Sequence, residues 1–153
     1  MPRFSTKRRV RHSAVEMFDL VADGESYPKF VPLCEALRIK SRSAKGEGVT
    51  VLVADMTVAY KLIRQTFTSR VTLDRPGLKI VVEYLDGPFQ RMQNRWTFRP
   101  ASAESCEVEF FIDYEFRSRT LAMLMGAMFD TAFRKFAAAF EKRADAIYGR
   151  KSG

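Results

Sequence analysis

Few groups in this 153-residue chain are marked by type or spacing for proton transfer, nucleophilic attack or metal binding: the one histidine, His12, the two cysteines, Cys34 and Cys106, and, of eighteen acids, the closely spaced Glu16, Asp19 and Asp23. A Ser-His-Asp or Cys-His arrangement would have to use His12, and no spacing marks its partner. His12 falls at the end of the first predicted strand beside a basic cluster, where a solvated ring is expected. The cysteines lie far apart and lack the paired spacing of a zinc site, so two reduced thiols in a cytosolic protein are expected. The three acids, spaced three and four apart, form one edge of a helix, and that edge is expected to be solvated. There is no glycine-rich phosphate loop and no metal-ligand spacing. No catalytic residue, metal or cofactor is assigned, and no feature demands an enzyme.

Three polar side chains carry more information. Gln65, Ser69 and Asn94 fall on strand faces that are otherwise apolar, and burying an amide or hydroxyl without a partner costs about 1 to 3 kcal/mol. Each is either satisfied by backbone or water, or belongs to an apolar pocket with a few convergent polar groups, the usual make-up of a small-ligand site.

The elements that must position these groups follow from periodicity. Phe4, Thr6 and Val10 alternate as a first strand. Ser13 with Glu16 three residues on makes a capping-box pattern, starting a short helix with Val15, Phe18 and Leu20 to Ala22 on its apolar side and ending near Gly24. A second helical turn is expected from Glu25 to Phe30, stopped by Pro32. Period-two patterns then predict strands over 36–44, 48–59, 61–73, 78–85, 90–99 and 105–116. Gly/Pro/Asp-rich turns separate most of them, and the break near Tyr60 has no such signal. Short connections make all seven strands antiparallel. From about Thr120 to Tyr148, the residues Met125, Phe129, Ala132, Phe133, Phe136, Phe140, Ala144 and Ile147 recur at steps of three and four as one apolar stripe. The expected fold is α+β, a curved seven-stranded antiparallel sheet around a long C-terminal helix, in one domain over 1–153. In the first half of that helix Leu121, Met123, Leu124, Met125, Met128 and Phe129 go most of the way round, leaving apolar surface to spare. Gly126 predicts a bend or close packing there.

The chain is 46% hydrophobic, enough for a core without staples. No run approaches the roughly 18 to 20 apolar residues of a membrane span, and no secretory signal opens the chain, so a soluble protein is expected. The basic opening, Arg3 to Arg11, has the look of a presequence fragment, but its strand alternation favours a bacterial-type protein starting at its first strand. Twenty-six basic residues against 18 acidic give a net charge of +8. That excess suits polyanionic surroundings, an anionic membrane or RNA alike. The row Arg91, Arg95, Arg99 beside Glu107, Glu109 and Asp113 predicts a cross-strand charge ladder on the wet face, with Phe111 the apolar exception.

Taken in order, Phe18-Asp19-Leu20-Val21-Ala22-Asp23, Tyr27-Pro28-Lys29-Phe30-Val31-Pro32-Leu33-Cys34, Phe67-Thr68-Ser69-Arg70-Val71, Asp86-Gly87-Pro88-Phe89, Asn94-Arg95-Trp96-Thr97-Phe98, Phe116-Arg117 and Ala139 to Ala144 resemble the coenzyme Q-binding branch of the START-like, polyketide cyclase/dehydrase superfamily. The match covers nearly the whole chain. It departs at Leu33, where the family often has tryptophan, and at 58–62, where no glycine stands. The resemblance implies a helix-grip fold with an apolar tunnel between sheet and helix. It also implies binding of ubiquinone or a related prenyl lipid, as a quinone chaperone for respiration or ubiquinone biosynthesis. A nearby branch consists of ribosome-association toxins, and the superfamily includes cyclase-like enzymes; these remain alternatives.

Under the favoured reading Gln65, Phe67, Ser69, Asn94, Trp96, Phe110, Tyr114, Met125, Phe129 and Phe133 are the candidate ligand contacts. A quinone ring offers acceptors and no donors, so the amides and hydroxyls would donate to it while the aromatic rings lie against ring or tail. Phe89, Met123, Leu124 and Met128 are the candidate pocket mouth or membrane contact. The partners expected are ubiquinone or a prenyl lipid, an anionic membrane and the ribosome, with no specific DNA. The expected location is the cytoplasm, with peripheral contact at the inner membrane.

Overall fold

Ser13 accepts a hydrogen bond from the Glu16 amide while Glu16 accepts one from the Ser13 amide, and this capping box starts α1, Ala14–Ala22. The computed structural model describes residues 3–149. The first strand, β1 (Arg3–Val10), precedes α1, and a 3-10 helix, Gly24–Lys29, follows it. Six further strands come next: β2 (Cys34–Ala44), β3 (Val49–Tyr60), β4 (Ile63–Asp74), β5 (Lys79–Asp86), β6 (Phe89–Ser102) and β7 (Ser105–Phe116). The long helix α2, Arg119–Tyr148, ends the described chain, capped by the Ser118 hydroxyl.

The strands form one antiparallel sheet in the order β1-β7-β6-β5-β4-β3-β2. From β2 to β7 it is a meander, because each connection is a short turn; β1 joins at the far edge beside β7. Irregular register in β2–β3, β4–β5 and β6–β7 marks bulges, which bend strands and let the sheet curve around α2. Alternation sets the faces. Met92, Asn94, Trp96 and Phe98 are buried in β6, and Cys106, Val108, Phe110, Ile112, Tyr114 and Phe116 in β7. On the opposite face Arg91 meets Asp113 at 3.1 Å and Arg99 meets Glu109 at 3.7 Å, while the Arg95 guanidinium lies 4.7 Å over the Phe111 ring. The charge ladder thus covers the exceptional phenylalanine.

Several expectations change. His12 is fully buried, with Nε2 2.7 Å from Asp145 Oδ1, because the end of β1 tucks under the last turns of α2. The acidic edge is solvated as expected at Asp19 and Asp23, which meet Arg75 at 3.1 and 3.2 Å and the Ser26 hydroxyl at 2.7 Å, while the half-buried Glu16 serves the capping box. Met17 takes the place expected for Val15 on the buried side of α1; Val15 is exposed. Ile147 closes the apolar stripe of α2 in sequence but is exposed. Gly126 has open space where a Cβ would stand, so close packing is not its reason. The break near Tyr60 is a two-residue loop between the paired Tyr60 and Ile63, with Lys61 at φ +55° in place of the usual glycine. In the next hairpin glycine is required: Gly87 has φ +145°, and a Cβ there would lie 2.6 Å from that of Phe67.

Candidate functional site

Between the concave face of the sheet and α2 the side chains do not meet everywhere, and a cavity of about 150 Å³ remains. Leu37 and Ile39 of β2, the inward row Leu52, Ala54, Met56 and Val58 of β3, and Phe67, Ser69, Val71 and Leu73 of β4 line one side. Trp96 and Phe110 line the floor, and Phe129, Phe133, Phe136 and Phe140 of α2 the roof. Within the lining the rings lock edge to face, Trp96 against Phe110 at 4.8 Å and Phe140 at 5.0 Å.

The wall is apolar apart from a few groups. The Tyr27 hydroxyl, 3-10 helix, donates to the Val21 carbonyl, and burial, with lesser help from Cys34 and Asp23, pushes its pKa well up. Asn94 donates an amide hydrogen to the Phe111 carbonyl at 2.8 Å across β6 and β7. Ser69 is different. Its hydroxyl is buried, has no hydrogen-bond partner and stands on the cavity wall in the middle of β4. Such a group costs stability in an empty cavity and is available to a ligand.

Of the residues singled out from the sequence, Phe67, Ser69, Asn94, Trp96, Phe110, Phe129 and Phe133 stand on this cavity. Gln65 shares their strand face but lies beyond the lining, opposite Val58. Tyr114 is buried among Phe89, Phe129 and Phe133, and its hydroxyl is pushed up to about 12, chiefly by burial. Met125 is fully buried in the core outside the lining. Among the candidate mouth residues, Met123 and Leu124 are exposed and Met128 is half-buried. Phe89 is not at the surface: it is 3% exposed, the hub of contacts to Phe67, Tyr84, Tyr114, Phe116 and Phe129, and itself lines the cavity. Gly87 places it there by turning β5 into β6 directly over Phe67.

The β2–β3 wall, Tyr27, Phe136 and Phe140 were not among the candidates. Alternation in β3 and the helical stripe mark the β3 row, Phe136 and Phe140 as inward, but nothing in a one-dimensional pattern separates a side chain lining a gap from one filling it. Leu33, where the resemblance departs, has φ +68° and lines the cavity, and its carbonyl accepts the Ala59 amide at 3.0 Å. Among the described residues no three His, Cys, Asp or Glu gather as metal ligands, and no helix is long and apolar enough to cross a membrane.

A curved sheet gripping a long helix around an apolar cavity defines a helix-grip, lipophile-binding class of domain. The chain belongs to the polyketide cyclase / dehydrase and lipid transport family, whose model matches residues 10–141. It is 34% identical over 151 residues to the ribosome association toxin RatA of Escherichia coli, covering 99% of this chain and 92% of that protein. It is 30% identical over 152 residues to the coenzyme Q-binding protein COQ10 homolog B, mitochondrial, of Xenopus laevis, covering 97% of this chain and 60% of that one. The solution structure of an 18 kDa protein from Caulobacter crescentus superposes with a TM-score of 0.79 at 34% identity, over 97% of this chain and 99% of the other.

Proposed function

We propose that the protein binds a prenyl quinone or a closely related prenyl lipid, ring inward, and acts as its carrier without catalysing a reaction on it. The unpartnered Ser69 hydroxyl in an otherwise greasy cavity carries this reading. A quinone carbonyl accepts the hydrogen bond that Ser69 lacks, and an apolar wall accepts the ring and first isoprene units at about 0.8 kcal/mol per buried methylene. A cavity of about 150 Å³ suits a single ring of benzene size, so a long tail must leave through the mouth. The coenzyme Q-binding relative supports the same ligand class. Mass spectrometry of an organic extract of the purified protein tests it. Stoichiometric prenyl quinone is expected, with less retained by Ser69→Ala; an empty extract from a quinone-rich host would sink the reading.

A second reading is association with a ribosomal subunit, favoured by the 34% identity to RatA and by the net charge of +8. Its signature is co-sedimentation with a subunit that falls steeply with added salt.

A further inference from the structure

Large apolar side chains left in water are Val15, Tyr60, Leu62, Leu85, Met123, Leu124 and Ile147. Strand register places five of them at one end of the molecule. β3 and β4 stay paired out to Tyr60 and Ile63, whereas β4 loses β5 beyond Thr68, which pairs with Asp86; the Lys61–Leu62 loop therefore overhangs the sheet. Leu62 at its tip is 103% exposed. Arg117, just past β7, donates its amide to the Pro88 carbonyl in the β5–β6 turn, so α2 starts at the same end. There its first turns hold Met123, 83% exposed, and Leu124, 56% exposed. Phe67 and Phe89, at the base of these segments, line the cavity.

We infer that the hairpin tip at Tyr60–Leu62 and the first turns of α2 at Met123–Leu124 together insert into the surface of an anionic lipid bilayer, seating the cavity end on the membrane. The observations favour a bilayer over a protein partner. Single, highly exposed leucines and a methionine on a hairpin tip and a helix start suit the headgroup boundary. The charge around them is complementary: Lys61, Arg64, Arg117 and Arg119 lie on these segments, against Glu35 and Asp86, which pair with Arg64 and Arg117. A second copy of the chain would bring the same cations against themselves. The inference deepens the carrier reading and rests on it only for what passes through the mouth.

Binding to mixed phosphatidylcholine–phosphatidylglycerol vesicles, read by co-sedimentation, is the test, with Leu62→Asp and Leu124→Asp as variants. Both positions are exposed, so the variants fold, which thermal melts check. Val15→Asp and Ile147→Asp, at the opposite end, are the controls. The expected result is binding that weakens in high salt and on pure phosphatidylcholine, falls about tenfold or more in Leu62→Asp and Leu124→Asp, and persists in the controls. No binding to anionic vesicles, or equal loss in tip and control variants, would overturn it. Lipid extracted from each variant separates the two ideas: vesicle binding without bound quinone keeps the docking surface and removes the ligand, while retained quinone with no vesicle binding does the reverse.

Discussion

His12 Nε2 stands 2.7 Å from Asp145 Oδ1, joining the residue just past β1 to the last turns of α2 across 133 positions of chain. Two more links run alongside it: Arg8 to Glu141 at 2.7 Å and the Tyr148 hydroxyl to the Glu16 carbonyl at 3.1 Å. The last turns of α2 are thus held by polar clasps, and its stretch over the cavity by aromatic rings such as Phe129 against Phe89 and Phe133 against Tyr114. Packed rings can part around a lipid without breaking the His12–Asp145 hydrogen bond.

His12→Ala removes a fully buried ring together with its hydrogen bond and is expected to cost about 2 to 4 kcal/mol. Arg8→Gln, at a half-exposed pair, is expected to cost under about 1 kcal/mol. Urea midpoints measure both; a His12→Ala loss no larger than that of Arg8→Gln would show that the clasp is not structural.

Ser69→Ala deletes the unpartnered hydroxyl and is expected to stabilise the empty protein by about 1 kcal/mol while weakening prenyl-quinone binding. Melting of delipidated protein and fluorescence titration with a short-chain quinone give the two numbers. Parallel changes in stability and affinity would contradict the role given to this hydroxyl.

Asp113 is held below its ordinary carboxylate value, first by the hydrogen bond from Arg91 and further by the charges of Arg91 and Arg3. A depressed carboxylate contributes stability that is present above its unfolded value near 4 and lost as pH falls through the folded one. Asp113→Asn is therefore expected to flatten the decline of stability below about pH 4. Denaturant melts at stepped pH read the slope directly, and an unchanged acid limb would count against the pair.

Cys34 and Cys106 are buried free thiols, both pushed up to about 11 by burial. Neither is a thiolate near neutral pH, so a thiol reagent at pH 8 is expected to react with the folded protein only at its unfolding rate and with both thiols in denaturant. Fast labelling of native protein would mean that the end of β1 or the start of β2 opens.

The elements themselves were legible in the chain. Val108, Phe110, Ile112 and Tyr114 alternate with acids, and Met125, Phe129, Phe133 and Phe140 recur at helical steps, because backbone geometry imposes those periods wherever one face meets a core. Ser69 and Asn94 stood out as inward polar groups for the same reason. Tertiary structure alone decided the rest. Whether an inward residue lines a gap or fills one depends on how rings from two elements fit, so Ser69 faces the cavity while Gln65, four residues earlier on the same face, does not. His12 looked solvated among Arg8, Arg9 and Arg11, yet a helix arriving 133 residues later buries it against Asp145. Local pattern determines which face a side chain takes, but only three-dimensional packing determines what stands opposite it.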